Sequence, residues 1–421
     1  MRPLPPIPDF VTLEHQVAQI LTQQELHGWH FDERKAYELE STLGRELEKL
    51  TELLRRQHPY VAGSFFTPKR DLPMRGYFEG CEFQRIKEFN PTSRDHIAWI
   101  LTTHHGWTPS SISSKTKKPV IDETVLKDIG TDIALRFLRC LELKKALGMI
   151  SEGVNAWQRL CTTSRRIHHN CSVSTNTFRC AHRKPNLAQC PADERFRKLF
   201  TATPGMVMCG ADLAGIELRM LAHYLARYDD GRYADILLNG DIHQVNADKI
   251  GISRRAVKTV TYAFLYGASA TRIGKSYDKQ LSDNKAAAKG KEIRDAFIKA
   301  IPGLSELLSA VKKRSLTGSI LAIDGRRLLV DSPHKGLNFL LQGSAATIAK
   351  RWLLITHENL PPTAHQLAFV HDELQYECKK EDVENLKFLL ELSAAQAGEY
   401  YNLRVPIAAD AKAGASWAEV H

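Results

Sequence analysis

Two apolar runs in this chain each close on an acid, and they lie far apart. "GMVMCGADL" (205–213) reaches Asp212, and "LAFVHDELQYEC" (367–378) turns at His371-Asp372. In the second run Leu367 and Phe369 alternate before the turn, and Glu373, Gln375 and Glu377 alternate after it. That is the period of a strand hairpin. Tight hairpins prefer Asn-Gly or Asp-Gly at the tip, because those residues tolerate positive φ. His371-Asp372-Glu373 is a costly tip on structural grounds, and functional acids account for it better. If the two strands are neighbours, Asp212 and Asp372 converge. The sheet is then assembled from distant segments, which predicts an α+β fold.

The rest of the chain is consistent with that class. Residues 12–58 read as a helical hairpin, with Leu39, Leu43, Leu47, Leu50 and Leu54 on one stripe of the second helix. Residues 59–90 are rich in Pro, Gly, Phe and basic groups and read as an irregular connector. Helices follow to about residue 160, interrupted by a basic loop with Lys115, Lys117 and Lys118. That loop is either a solvated turn or a phosphate contact. Residues 226–336 read as helical and basic. Residue 337 starts a long buried helix, and a last helix (381–400) precedes a short C-terminal strand region.

Composition narrows the partners. The 421 residues carry a net charge of +10, which favours a polyanion, nucleic acid first. No window of about 18 apolar residues exists, so no membrane helix is expected. The first residues, "MRPLPPIPDF", read as neither signal nor transit peptide, so a cytoplasmic location is expected. The eight cysteines include no C-x-x-C pair, which suits free thiols in a reducing compartment. His168, His169, Cys171, Cys180, His182 and Cys190 crowd one stretch, but their spacing lacks the tight ligand pairs of zinc sites.

Converging aspartates offer oxygen-only ligands, which suit hard cations such as magnesium. Two such ions can activate a hydroxyl and stabilise a leaving oxygen in phosphoryl transfer. A third segment, "SRRAVKTVTYAFLYG", fits that chemistry. Ser253 can cap a helix and Gly267 can stop it. Arg254, Lys258, Tyr262 and Tyr266 recur every fourth residue, so they share one face. Cations suit a triphosphate and rings suit a base and sugar. His243, in "GDIHQVNA", is a further phosphate donor.

Together "DLAGIELRMLAH", "RRAVKTVTYAFLYG" and "VHDE" resemble motifs A, B and C of family A DNA polymerases. "RKPNLAQ", "GDIH", "DGRR" and "LNFLLQGSAA" lie where that family has similar runs. Within the family the likeness leans towards the short replicative enzymes of podovirus coliphages. The resemblance implies a right-hand architecture: a tail at 1–11, a helical thumb at 12–160, a palm at 161–224 and 338–421 with an antiparallel sheet, and helical fingers at 225–337. It implies a DNA-directed DNA polymerase acting on primer-template DNA and dNTPs with two Mg2+ ions. In a phage setting it would work in the bacterial host cytoplasm.

Carried over residue by residue, Asp212 and Asp372 would hold the metals, with the Leu213 carbonyl beside them. Arg254, Lys258 and His243 would hold the triphosphate. Tyr262 would lie against the sugar and base, Tyr266 near the templating base, and Glu217 would block a ribose 2′-OH beside Tyr262. Arg179 and Gln342 would read the minor groove. His371 and Glu373 would support the primer end and the metal site, and Asn338 and the three loop lysines would join the DNA contacts.

Three departures stand out. Phe178 replaces the glycine of the family's Thr-Gly-Arg run, directly before Arg179. The chain starts at the thumb, so no in-chain 3′–5′ exonuclease is expected, and a separate exonuclease chain or processivity factor would complement it. Residues 59–90 are shorter than the thioredoxin-binding insertion of the phage enzymes, which argues against thioredoxin as a partner. Two other functions compete with DNA synthesis. A non-catalytic DNA-binding relic would not need intact acids and an intact Arg-Lys-Tyr row. A single-subunit RNA polymerase would not place Glu217 against the 2′-OH.

Overall fold

The computed structural model describes residues 6–421 apart from 110, 174, 279 and 280. The chain forms two compact units, Met1–Glu33 with Leu160–His421, and Arg34–Arg159.

The first unit is built on helix α1 (Asp9–His27) and a four-stranded antiparallel sheet. Strand β1 (Val207–Leu213) turns at Gly215, whose φ of 56° favours a glycine, into helix α2 (Ile216–Leu225). Further helices follow, among them α3 (Arg254–Leu265), whose start Ser253 caps through its hydroxyl. The buried helix α4 (Gly336–Glu358) leads to strands β2 (His365–Val370) and β3 (Glu373–Cys378), helix α5 (Val383–Tyr400) and strand β4 (Ala409–Gly414). The sheet order is β2-β3-β1-β4. The strand that closes on Asp372, β2, is thus separated from β1 by β3, and the direct partner of Asp212 is Glu373, the first residue of β3.

Strand alternation gives this sheet two unlike faces. Cys209, Ala211, Leu213, Leu374, Tyr376, Cys378 and Ala411 are buried on one face, where α5 packs. The other face carries Asp212, Glu373, Gln375, Glu377 and Asp410, with Gly210 among them. A core of this size, running through α2, α4 and α5, supplies the apolar burial that lets a row of acids sit on one sheet.

The second unit has its own core, with Leu54, Phe89, Ile97, Ile100, Leu101, Leu126 and Phe137 fully buried. Four readings of the sequence change. Residues 59–90 are not an irregular connector: Tyr60–Phe66 and Phe83–Glu88 pair antiparallel, held by the Phe66, Tyr77 and Phe83 rings. Only Val61 of this ribbon is buried, so it carries almost no apolar periodicity. Residues 226–336 are not wholly helical. Ser319–Leu321 and Arg327–Leu329 form a hairpin that buries Ile320 and Leu328, turning through Asp324-Gly325 with Gly325 at φ 81°. The two helices expected at 12–58 fall in different units: α1, against α4 and β2, is in the first, and all but the first residue of Glu33–Gln57 is in the second. The expected tail (1–11) lies partly outside the described residues, and Asp9 already starts α1. Among the described residues no helix is long and apolar enough to cross a membrane.

Candidate functional site

The polar face of the sheet gathers the acids. Asp212 and Glu373 are direct cross-strand partners, and the Leu213 N–H donates to the Asp372 carbonyl at 3.0 Å. Asp372 sits at the β2–β3 tip after His371, which takes a φ of 60°, a left-handed conformation uncommon outside glycine and one that His tolerates better than most residues. Burial pushes the Asp212 carboxyl up to about 7, and the nearby charges of Glu373 and Asp372 add to the shift. Burial also pushes Asp372 up to about 6, with Glu217 adding and Arg179 opposing. These carboxylates resist ionising together.

Glu373 is held from behind. Its Oε1 accepts from the Trp417 indole N–H and from Gln375 Nε2 at 2.7 Å. Gly210 makes that possible, because a Cβ there would lie 2.4 Å from Gln375 Oε1. Trp417 is itself packed 5.0 Å from Trp29 and 5.7 Å from Phe200, ring centre to ring centre. His421 Nδ1 lies 3.1 Å from Glu373 Oε2 and 3.5 Å from Asp212 Oδ2, and its hydrogen bond to Glu373 raises its pKa. Sequence reasoning gave Trp417, Gln375 and His421 no role here.

The rim of the site comes from α2 and α3. Glu217, in the first turn of α2, is 9% exposed and accepts from Arg179 Nη2 at 2.9 Å and from the Tyr266 hydroxyl at 2.8 Å. The hydrogen bond from the row thus comes from Tyr266, one step along from Tyr262. Tyr262 lies close enough that Glu217 and Asp372 raise its pKa beyond the effect of burial. Its ring is 6.2 Å from His243. Asp241 caps the helix of His243 and pairs with Arg254 at 2.6 Å, while Lys258 is exposed. The face of α3 therefore runs from cations to rings and ends against Glu217, as its spacing predicts.

The other residues fall in two groups. Asn338 donates to the Leu265 carbonyl at 3.0 Å, tying α4 to the end of α3, and Gln342 lies one turn further along α4, half-buried. His371 is half-buried with its Nδ1 lacking a partner among the described residues, and its ring meets His182 edge-on at 6.1 Å. Lys115, Lys117 and Lys118 sit in the second unit on an exposed turn closed by the Ser113 N–H to Lys118 carbonyl bond, and Lys118 pairs with Asp95. His169, Cys171, Cys180 and His182 are buried. Among the described residues their ligand atoms do not gather as a metal site would need, whereas those of Asp212, Glu373 and His421 lie within 4.8 Å of one another.

The donor set fits a hard divalent cation. Carboxylate oxygens of Asp212 and Glu373 lie within 4.8 Å of each other beside His421, and the nearby charge of Asp372 adds to a repulsion that a cation would relieve.

Comparison with known proteins identifies the family and the fold. The sequence model of DNA polymerase family A matches residues 79–419. The DNA-directed DNA polymerases of Enterobacteria phage T3 and Escherichia phage T7 are each 30% identical over 501 aligned residues, covering 98% of this chain and 70% of theirs. A solved structure, the POL domain of Pol1 from M. smegmatis in complex with DNA primer-template and dNTP, matches with a TM-score of 0.76 at 19% identity. That match covers 97% of this chain and 70% of the other, and at such identity it establishes the fold alone.

Proposed function

The chain belongs to DNA polymerase family A and is a DNA-directed DNA polymerase, and from that premise we propose how its own residues carry the reaction. A primer 3′-hydroxyl attacks the α-phosphorus of a dNTP on a DNA template, and pyrophosphate leaves. The observation that carries this reading is the cross-strand pairing of Asp212 with Glu373 beside Asp372, faced by the cation-to-ring row of α3.

Asp212 and Asp372, with the Leu213 carbonyl, would hold magnesium, which when bound would supply Lewis acidity to the attacking hydroxyl and the leaving phosphate. Trp417 and Gln375 orient Glu373, which supports that pair. Lys258 and His243 bind the triphosphate, and Arg254 joins them by exchanging Asp241 for phosphate oxygens. Tyr262 packs on the sugar and base. Tyr266 lies near the templating base. Glu217 fills the space that a 2′-hydroxyl needs. Arg179, Gln342 and Asn338 track the minor groove, and His371 steadies the primer end. The Arg34–Arg159 unit answers to the thumb, and its lysines 115, 117 and 118 contact duplex phosphates.

Primer extension by the purified chain with magnesium, and its absence in Asp372→Asn and Asp212→Ala, is the expected result. Near wild-type extension by either variant would remove the metal assignment. Tight primer-template binding with no incorporation by the wild type would favour the relic.

A further inference from the structure

Phe178 stands at a backbone position that suits glycine, with φ at 59°. Such a conformation persists in a bulky residue only when its surroundings over-determine it. Here they do. The Phe178 ring faces the guanidinium of Arg326, whose Cζ lies 4.7 Å from the ring centre, and Phe10 covers that guanidinium at 5.7 Å. Arg326 is 2% exposed. Its Nε donates to Asp324 Oδ2 at 2.7 Å and its Nη1 to Glu14, but Nη2 has no hydrogen-bond partner among the described residues. Lys350 Nζ, bonded to both oxygens of Glu14 at 2.7 Å, lies 5.9 Å from the same ring. A π face is favourable cover for a desolvated cation whose N–H groups are not all used. The contacts come from α1, from the Asp324–Arg326 turn and from α4, so the ring is fixed by separate, well-packed segments.

What the ring fixes is the direction of the next residue. The Phe178 N–H donates to the Thr175 carbonyl at 2.9 Å, and the Thr175 hydroxyl donates to the Arg179 carbonyl at 2.7 Å. The turn is closed, and Arg179 leaves it towards Glu217 at 2.9 Å. We propose that Phe178 is a positioning residue: its ring, clasped against the buried Arg326–Lys350 pair, aims Arg179 into the polymerase site. A glycine relieves the backbone but gives the turn no anchor.

The kinetic part rests on the polymerase reading above; the packing part does not. Two measurements separate them. In single-nucleotide incorporation, Phe178→Gly and Phe178→Leu lower the rate at saturating dNTP by about 10- to 10²-fold, the upper figure being the loss that a misplacement of about 1 Å causes. Phe178→Tyr, which keeps the ring, restores it. In an Arg179→Ala background Phe178→Gly has little further effect, because it acts through Arg179. Additive losses, or a wild-type rate in Phe178→Gly, overturn the proposal. In thermal denaturation, which needs no activity, Phe178→Leu and Arg326→Lys are non-additive because the ring and the cation are in contact. Additive shifts in melting midpoint overturn it even if no enzyme in the series incorporates nucleotide.

Discussion

Replacing Asp212 with Asn removes activity and stabilises the metal-free protein. The Asp212 carboxyl is held at about 7 against an ordinary 3.8, by burial first and then by Glu373 and Asp372. A folded-state pKa above the unfolded value means that the folded protein binds the proton more tightly. The ionised form is therefore penalised in the fold. The penalty is complete above about pH 7, shrinks as pH falls, and vanishes below the ordinary carboxylate pKa. At about 1.4 kcal/mol per unit, a shift of this size corresponds to roughly 4 kcal/mol before screening. The Asp212 side chain is 44% exposed, so solvent and salt reduce the effect to about 1–2 kcal/mol.

Asp212→Asn keeps the shape and deletes the charge. At pH 8, with chelator and no divalent ion, its melting midpoint is expected to rise by about 2–4 °C. At pH 5 the advantage falls to roughly two-fifths of that. Added magnesium raises the midpoint of the wild type more than that of the variant, because the variant has lost a ligand. Calorimetry or circular dichroism at the two pH values reads all three. If the variant is no more stable than the wild type at pH 8, or gains as much at pH 5, the carboxylates do not repel one another as argued.

Three further substitutions test the same face and its rim. Glu377→Gln should do the reverse of Asp212→Asn and cost about 2–3 kcal/mol near neutral pH, a loss that fades as pH drops from about 4.5 towards 2; denaturation across that range checks it. Glu217→Ala should raise ribonucleotide incorporation by about 10²-fold or more, measured against dNTP use on one primer-template; unchanged sugar choice would show that Glu217 serves only to pair Arg179 and Tyr266. Trp417→Phe keeps the packing on Trp29 and Phe200 but removes one donor to Glu373. Incorporation should fall while stability changes by about 1 kcal/mol, and equal activity would make that bond dispensable.

The sheet was legible because strand alternation is local, and the runs at 205–213 and 367–378 both show it; that β3 rather than β2 lies beside β1, so that Glu373 faces Asp212, was not. The row on α3 was legible for the same reason, through helical period. What escaped depends on tertiary context. Which tyrosine reaches Glu217 is a matter of how α3 is rotated about its axis, and neighbours in the row differ by only about 40°. Trp417 and His421 reach the acids because β4 pairs with β1 and returns the following residues over the polar face, a fact no nearby residue encodes. The 60–88 ribbon buries too little to leave a pattern.

Alternation also cannot tell one acid on that face from another. Glu377 and Asp212 sit on the same side of adjacent strands, yet they differ in kind. Burial pushes Glu377 up, but His27, the Thr203 N–H and hydroxyl, and Arg166 together hold it down to about 2. Among the described residues Asp212 has no such set of donors: His421 at 3.5 Å and the charge of Arg197 oppose burial and the other acids. A buried carboxylate with its hydrogen bonds complete is part of the frame, and stability falls when it is removed. One left crowded and under-partnered lowers stability, which is consistent with selection for chemistry rather than for the fold. The opposite signs expected for Glu377→Gln and Asp212→Asn, two isosteric neutralisations on one sheet face, are the measurable form of that distinction.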